Sequence, residues 1–164
     1  EKGIARWQSI ITDSYDALDL AQTLVNTLPT IFKDEATHEG GVIRFWKRAQ
    51  LAASHLSVFR RLECARLTAL ADYKIPSVLR NLGILRYERS LADRIDRGIE
   101  IEAGGQEELE IRAHTIAAID QATIILQTKI PSATAIQLND AFWVMSRKKS
   151  PNDKPPHRTR TIWY

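Results

Sequence analysis

Asp72 is the residue of this sequence best placed to do chemistry. It stands in Thr68-Ala69-Leu70-Ala71-Asp72-Tyr73-Lys74-Ile75-Pro76. An apolar run ending at Ala71 delivers the carboxylate to the edge of a hydrophobic segment, and the first charge after it is Lys74. A carboxylate at such an edge is only partly desolvated. Partial desolvation makes acid, base and nucleophile chemistry available. The same spacing also suits a structural role, since Asp before a turn commonly caps the next element. Pattern alone leaves both readings open.

Three further clusters carry polar chemistry. In Arg44-Phe45-Trp46-Lys47-Arg48-Ala49-Gln50, aromatics stand beside cations on one expected helix. Lys47 and Arg48 there suit a phosphate clamp, or a solvated face beside core aromatics. In Leu138-Asn139-Asp140-Ala141-Phe142-Trp143, a carboxylate beside Phe142 and Trp143 suits a cationic amine or a diol. The alternative is an exposed helical aspartate. The ending Pro155-Pro156-His157-Arg158-Thr159-Arg160-Thr161-Ile162-Trp163-Tyr164 finishes on large apolar side chains. A terminus is ordinarily frayed and polar, so residues 147–164 are expected to form an ordered basic tail. Such a tail fixes His157, Arg158 and Arg160 in place, as phosphate ligands or as partners of acids. Glu107-Glu108-Leu109-Glu110-Ile111-Arg112 reads as structural, its acids favouring a helix start.

Other chemistries find no support. His38, His55, His114 and His157 lie far apart without ligand partners at helical or turn spacing, which argues against zinc. Gly40-Gly41 and Gly104-Gly105 lack the spacing of a phosphate loop. No metal and no cofactor are expected. The lone Cys64 excludes an internal disulfide and points to a reducing, cytoplasmic setting. No run is long or apolar enough for a membrane span. A net charge of +3 is mild and argues against direct nucleic-acid binding.

The elements that position these residues read as helices. The chain has 164 residues, is 44% hydrophobic, and is rich in Leu, Ile and Ala with few Gly and Pro. That composition fits one all-α domain over 1–164, with short, unequal helices in an orthogonal arrangement. Helical spacing of Ile4, Trp7, Ile11, Tyr15, Leu18, Ala21, Val25 and Leu28 predicts a helix over 4–28, stopped by Pro29. Residues 30–41 read as a loop. A helix over 42–62 would place Ile43, Trp46, Ala49, Ala53, Leu56 and Phe59 on one side. A short helix over 64–71 leads to a turn at 72–74. Pro76 suits the first turn of the next helix and Gly83 its C-terminal cap. A helix over 88–97 ends at Gly98, and 99–105 alternates like a strand without a partner, so it reads as a loop. A long helix over 106–127 turns Leu109, Ala113, Ile116, Ile119, Thr123 and Ile124 inward. Ser132 is the expected N-cap of the last helix.

Four of these segments together resemble the queuosine salvage family of queuosine 5'-phosphate N-glycosylases. Lys47-Arg48-Ala49-Gln50 is similar to its Lys-Arg-Ala-Gln segment. Ala71-Asp72-Tyr73-Lys74-Ile75-Pro76, with Leu79, Leu82 and Gly83, resembles its Ala-Asp-Tyr-Arg-x-Pro motif. Glu108-Leu109-Glu110-Ile111-Arg112 resembles Glu-Val-Glu-Ile-Arg, and residues 156–164 resemble the family's ending. The resemblance covers nearly the whole chain, which corresponds to about the C-terminal half of a family member. It implies a fold similar to DNA glycosylases and hydrolysis of the N-glycosidic bond of queuosine 5'-phosphate. The freed base, queuine, would return to tRNA modification. It gives Asp72 the catalytic role. It implies substrate contacts by Leu70, Tyr73, Lys47, Asp140, Phe142, His157, Arg158 and Arg160, with Lys47 first for the phosphate and Asp140 for the base. Leu70 stands where the family has Phe, and Val144 or Met145 where it has a second acid. The family's N-terminal half implies a second polypeptide as a partner, or a longer parent chain. Two other functions stay open: a non-catalytic helical subunit that completes a site with another chain, and a nucleic-acid-binding helical module.

Overall fold

The computed structural model describes residues 10, 12–148 and 150–164. It divides into two compact units, one of residues 1–68 with Trp163 and one of residues 69–162 with Tyr164. Among the described residues there are seven helices and one two-stranded antiparallel sheet. The hairpin corrects the all-α expectation: the fold is mostly helical, with a small sheet.

In the first unit, α1 (Ala17–Thr27) starts at Asp16, whose carboxylate accepts the Asp19 amide at 2.8 Å. Ala17, Leu20, Ala21, Leu24 and Val25 are buried, the spacing of one apolar stripe. The helix expected over 4–28 is thus shorter in its described part. Ile4, Trp7 and Ile11 lie outside the described residues, and Tyr15 is exposed. Pro29 opens a second, four-residue helix, α2 (Pro29–Phe32), where its missing N–H has no helical partner to lose. The expected loop over 30–41 is mostly α2 and the hairpin. Strand β1 (Glu35–His38) pairs with β2 (Gly41–Arg44), Glu35 opposite Arg44. Glu39 and Gly40, between the strands, have φ of 47° and 78°, the sense that matches strand twist in a two-residue turn.

The hairpin delays the next helix. α3 runs over Lys47–Arg60 rather than from Val42, and Phe59 is exposed instead of buried. Asp34, itself buried, organises this junction. Its carbonyl accepts the amides of Phe45 (3.0 Å) and Trp46 (3.1 Å), and its carboxylate faces the Lys47 amide at 3.4 Å. Buried Gln50 donates to the Phe45 carbonyl at 2.9 Å and accepts the Thr68 amide at 2.8 Å.

The expected helix over 64–71 is absent; no helix lies between Arg60 and Lys74. Side-chain amides take backbone donors that a helix would use internally. Gln50 takes that of Thr68, and Asn139 accepts the Leu70 amide at 3.0 Å. In the second unit, α4 (Lys74–Asn81) has Pro76 in its first turn and Gly83 at φ 74° just past its end. α5 spans Arg89–Asp96 and is capped by Glu88. The segment 99–105, expected to lack a partner, has one. Glu100 bridges Arg158 in parallel, and the Ile101 amide donates to the Arg158 carbonyl at 2.9 Å. α6 (Gln106–Gln127) matches the expected bounds, although Ile124 is exposed. α7 (Ala135–Met145) starts at Thr134, not Ser132, because Thr134 and Gln137 form a reciprocal capping box.

Two apolar clusters hold this unit. Ala69, Ile75, Leu79, Ile119 and Ala135 form one, with Leu138 and Phe142 packed on it. Leu91, Ile95, Ile101 and Ile111 form the other. Full burial of each large aliphatic side chain contributes about 1.5–3 kcal/mol. The first cluster joins α4, α6 and α7 and includes Ala69, on the approach to Asp72.

Candidate active site

Asp72 emerges between the buried residues Ala69, Leu70, Ala71 and the first turn of α4, and is itself 8% exposed. Its Oδ1 accepts the Lys74 amide at 2.6 Å. The carboxylate thus takes up the first amide of α4 from one residue before the N-cap, Tyr73. This contact fixes the position of the side chain.

A buried ionic cluster lies behind it. Arg112, on α6, is 2% exposed. Its Nε–H donates at 3.0 Å to the Ala71 carbonyl, the peptide that joins Ala71 to Asp72. Its Nη1 lies 3.4 Å from Glu108 Oε1, one helical turn away. Tyr164 closes the cluster. Its ring lies 5.0 Å from the Arg112 guanidinium, and its hydroxyl donates to Glu108 Oε1 at 2.9 Å. Glu108 Oε2 accepts the Gly104 amide at 3.2 Å. His157 Nε2 is 3.4 Å from the Tyr164 hydroxyl, with the two rings edge to face, and Tyr73 stands 6.3 Å from Tyr164, centroid to centroid.

The surroundings set the protonation states. Burial, and then the Arg112 charge, lower the His157 pKa from 6.5 to about 4. The imidazole is neutral near pH 7, so it offers a hydrogen-bonding ring rather than a phosphate-binding charge. Burial, and then the Glu108 carboxylate, push the Tyr164 phenol above its ordinary range. The hydroxyl stays protonated and keeps donating.

The other sequence candidates fall in different places. Tyr73 and His157 join the Asp72 neighbourhood through Tyr164. Leu70 is buried, held by its amide to Asn139. Asp140 is exposed, and accepts from Asn139 Nδ2 at 3.2 Å. Phe142 is half-buried against the core cluster of α4 and α6. Arg158 is exposed, with its guanidinium beside Gly98, where a φ of 73° favours glycine. Arg160 is exposed and pairs with Glu100 at 3.0 Å. Lys47 belongs to the first unit, at the first position of α3. Sequence pattern reads Glu108 and Arg112 as structural and gives Tyr164 no partner, so it misses this cluster. The signal available is an acid–base pair at i, i+4 together with a large apolar ending.

A groove of about 450 Å³ lies within the second unit between α4, the end of α7 and the tail, lined among others by Lys74, Ser77, Asn81, Met145, Lys148 and Lys154. Lys74 is among its lining residues and Asp72 is not, and its size is that of a small-molecule site. Lys154 Nζ is paired with Asp96 at 3.0 Å, and Lys74 Nζ lies 5.2 Å from the Tyr73 ring centroid. Among the described residues no group of three or more His, Cys, Asp or Glu is arranged to hold a metal ion, and no helix is long and apolar enough to cross a membrane.

The family profile of the queuosine salvage protein matches residues 6–164. The chain belongs to the queuosine salvage protein family. A Sphaerobacter thermophilus relative is 40% identical over 157 residues, covering 90% of this chain and 48% of that protein. A Mus musculus relative is 32% identical, again over 90% of this chain and 48% of its own length. A Dictyostelium discoideum relative is 29% identical over 81% of the chain and 44% of its own. Each is named queuosine 5'-phosphate N-glycosylase/hydrolase. This queuosine salvage chain thus spans about half the length of the curated relatives it matches.

Proposed function

We propose that this queuosine salvage chain carries the carboxylate half of a nucleotide N-glycosylase site that cleaves queuosine 5'-phosphate. The observation that supports it most is the setting of Asp72. A buried carboxylate is held on both sides of its own residue, by the Lys74 amide and through the Ala71 carbonyl, in a chain whose relatives are named for this reaction. Breaking the bond between the sugar C1′ and the base nitrogen sends the electron pair to the base, which takes up a proton. Positive charge develops on the ribose ring. A fixed carboxylate stabilises that charge or forms a bond to C1′, and water ends on C1′. The products are the free base, queuine, and ribose 5-phosphate.

The remaining roles belong to the same proposal. Tyr73 and His157 present an aromatic ring and a neutral imidazole near the carboxylate, and Leu70 backs the Asp72 segment from the core. Lys47, Arg158 and Arg160 stay proposed phosphate contacts, and Asp140 with Phe142 a proposed base contact. The fold reading keeps its likeness to DNA glycosylases as part of this proposal. In a second reading the rest of the pocket comes from a further polypeptide or from a longer parent chain.

Incubation with queuosine 5'-phosphate, followed by mass spectrometry for queuine, tests the reading. Asp72→Asn is expected to lower the rate at least about a hundredfold, as for loss of one preorganised electrostatic group. A variant as active as the native chain removes Asp72 from the mechanism. Activity that appears only on adding the N-terminal half of a relative selects the second reading.

A further inference from the structure

We infer that Arg112, clamped by Glu108 and by Tyr164, is a positioning residue for Asp72. The inference rests on the glycosylase reading of Asp72 and adds to it the device that aims the carboxylate. Three observations carry it. First, Arg112 Nε donates at 3.0 Å to the Ala71 carbonyl, and that carbonyl belongs to the peptide bearing the Asp72 amide. Second, Arg112 is among the most completely buried side chains of the protein. A buried guanidinium is costly to keep unless its charge and its planar donors are used. Third, its orientation is set by a neighbour one turn back and by a group remote in sequence. Glu108 is that neighbour, and the Tyr164 ring holds the Arg112 Cζ over its face, 5.0 Å from the centroid, while its hydroxyl donates to the same Glu108 oxygen.

These contacts form a chain from Tyr164 to the reacting group. Tyr164 fixes Glu108, Glu108 and the ring fix the guanidinium plane, and that plane fixes the Ala71–Asp72 peptide. The Asp72 side chain then closes on the Lys74 amide at 2.6 Å. A peptide held by a planar, two-sided clamp has little freedom to rotate, so the carboxylate keeps one direction. Lysine cannot substitute for this. It retains the charge but has neither the Nε–H fork nor a flat face for the tyrosine ring.

The test uses the full chain, with the N-terminal half of a relative added if native activity requires it. Arg112→Lys is expected to lower kcat about a hundredfold, the scale of a misplacement near 1 Å, with KM changed less than about twofold because no substrate contact is removed. Tyr164→Phe removes only one hydroxyl and guards against misfolding of the first variant. It is expected to lower kcat about tenfold, the scale of one hydrogen bond to a charged group. In parallel, NMR of the Ala71 carbonyl and Asp72 amide is expected to give one sharp signal each in the native chain and shifted, broadened signals in Arg112→Lys. Native kcat in both variants, or a loss confined to KM, overturns the positioning role. So does an unchanged Ala71–Asp72 spectrum in Arg112→Lys. If the native chain and Asp72→Asn are equally inactive with the added half present, the glycosylase reading falls, and the spectra alone decide the clamp.

Discussion

Mild acid should destabilise this protein through one side chain, His157. It is 3% exposed, and burial followed by the Arg112 charge lowers its pKa from 6.5 to about 4. A folded pKa below the unfolded one means that the folded state holds the neutral ring. The stability this represents is fully present above the unfolded value and is lost as pH falls through it toward the folded one. At about 1.36 kcal/mol per pKa unit, moving from about pH 7 to about pH 5 removes about 2 kcal/mol, and about 3 kcal/mol has gone by about pH 4. For a domain of this size the first step lowers Tm by about 4–8 °C. Carboxylates also titrate in acid. Hydrogen bonds from Ser90 hold Glu88 low, and Arg80 holds Asp96 low. The measurement is therefore a difference between the native chain and His157→Gln, whose side chain cannot become charged. Urea midpoints and melting temperatures of both, taken at intervals from about pH 7 to about pH 5, should converge as the native protein loses its extra stability. Curves that run parallel over that range refute the picture of a buried, neutral His157.

Two further substitutions probe the two units separately. Glu108→Ala removes the carboxylate beside buried Arg112 and the acceptor of the Tyr164 hydroxyl, and should cost about 3–5 kcal/mol in urea unfolding; a loss under about 1 kcal/mol contradicts the ionic cluster. Gln50→Ala strips the bridge between the Phe45 carbonyl and the Thr68 amide in the first unit. It should cost about 1–3 kcal/mol, with faster amide exchange at Thr68 as its local signature.

Local pattern makes much of the second unit legible. The 106–127 helix is readable because its apolar spacing is long and Gly104-Gly105 interrupts it cleanly at the start. Gly83 and Gly98 are readable as ends because left-handed backbone favours glycine there. The departures share a cause. Residues 64–71 carry helix formers, yet Gln50 and Asn139 supply side-chain partners to the backbone, from positions 18 and 69 residues away. The hairpin over 35–44 resembles loop and helix in sequence because its strands are only four residues each, and its turn uses Glu39 rather than a more typical Asn or Asp.

Three properties need nothing beyond the order of residues. Asp72 stands at the end of an apolar run in a family motif, the final three residues are large and apolar, and the chain is chiefly helical. Each depends on neighbours in the chain, and short-range sterics and hydrophobic period report them directly. The surroundings of the carboxylate emerge only on folding. Folding brings Arg112 from 41 residues away onto the Ala71 carbonyl, and Tyr164 from 56 residues away onto Glu108. It also turns His157 from a candidate cation into a neutral, buried ring. Burial and charge state depend on which distant groups fill the space around an atom, and no local pattern encodes that.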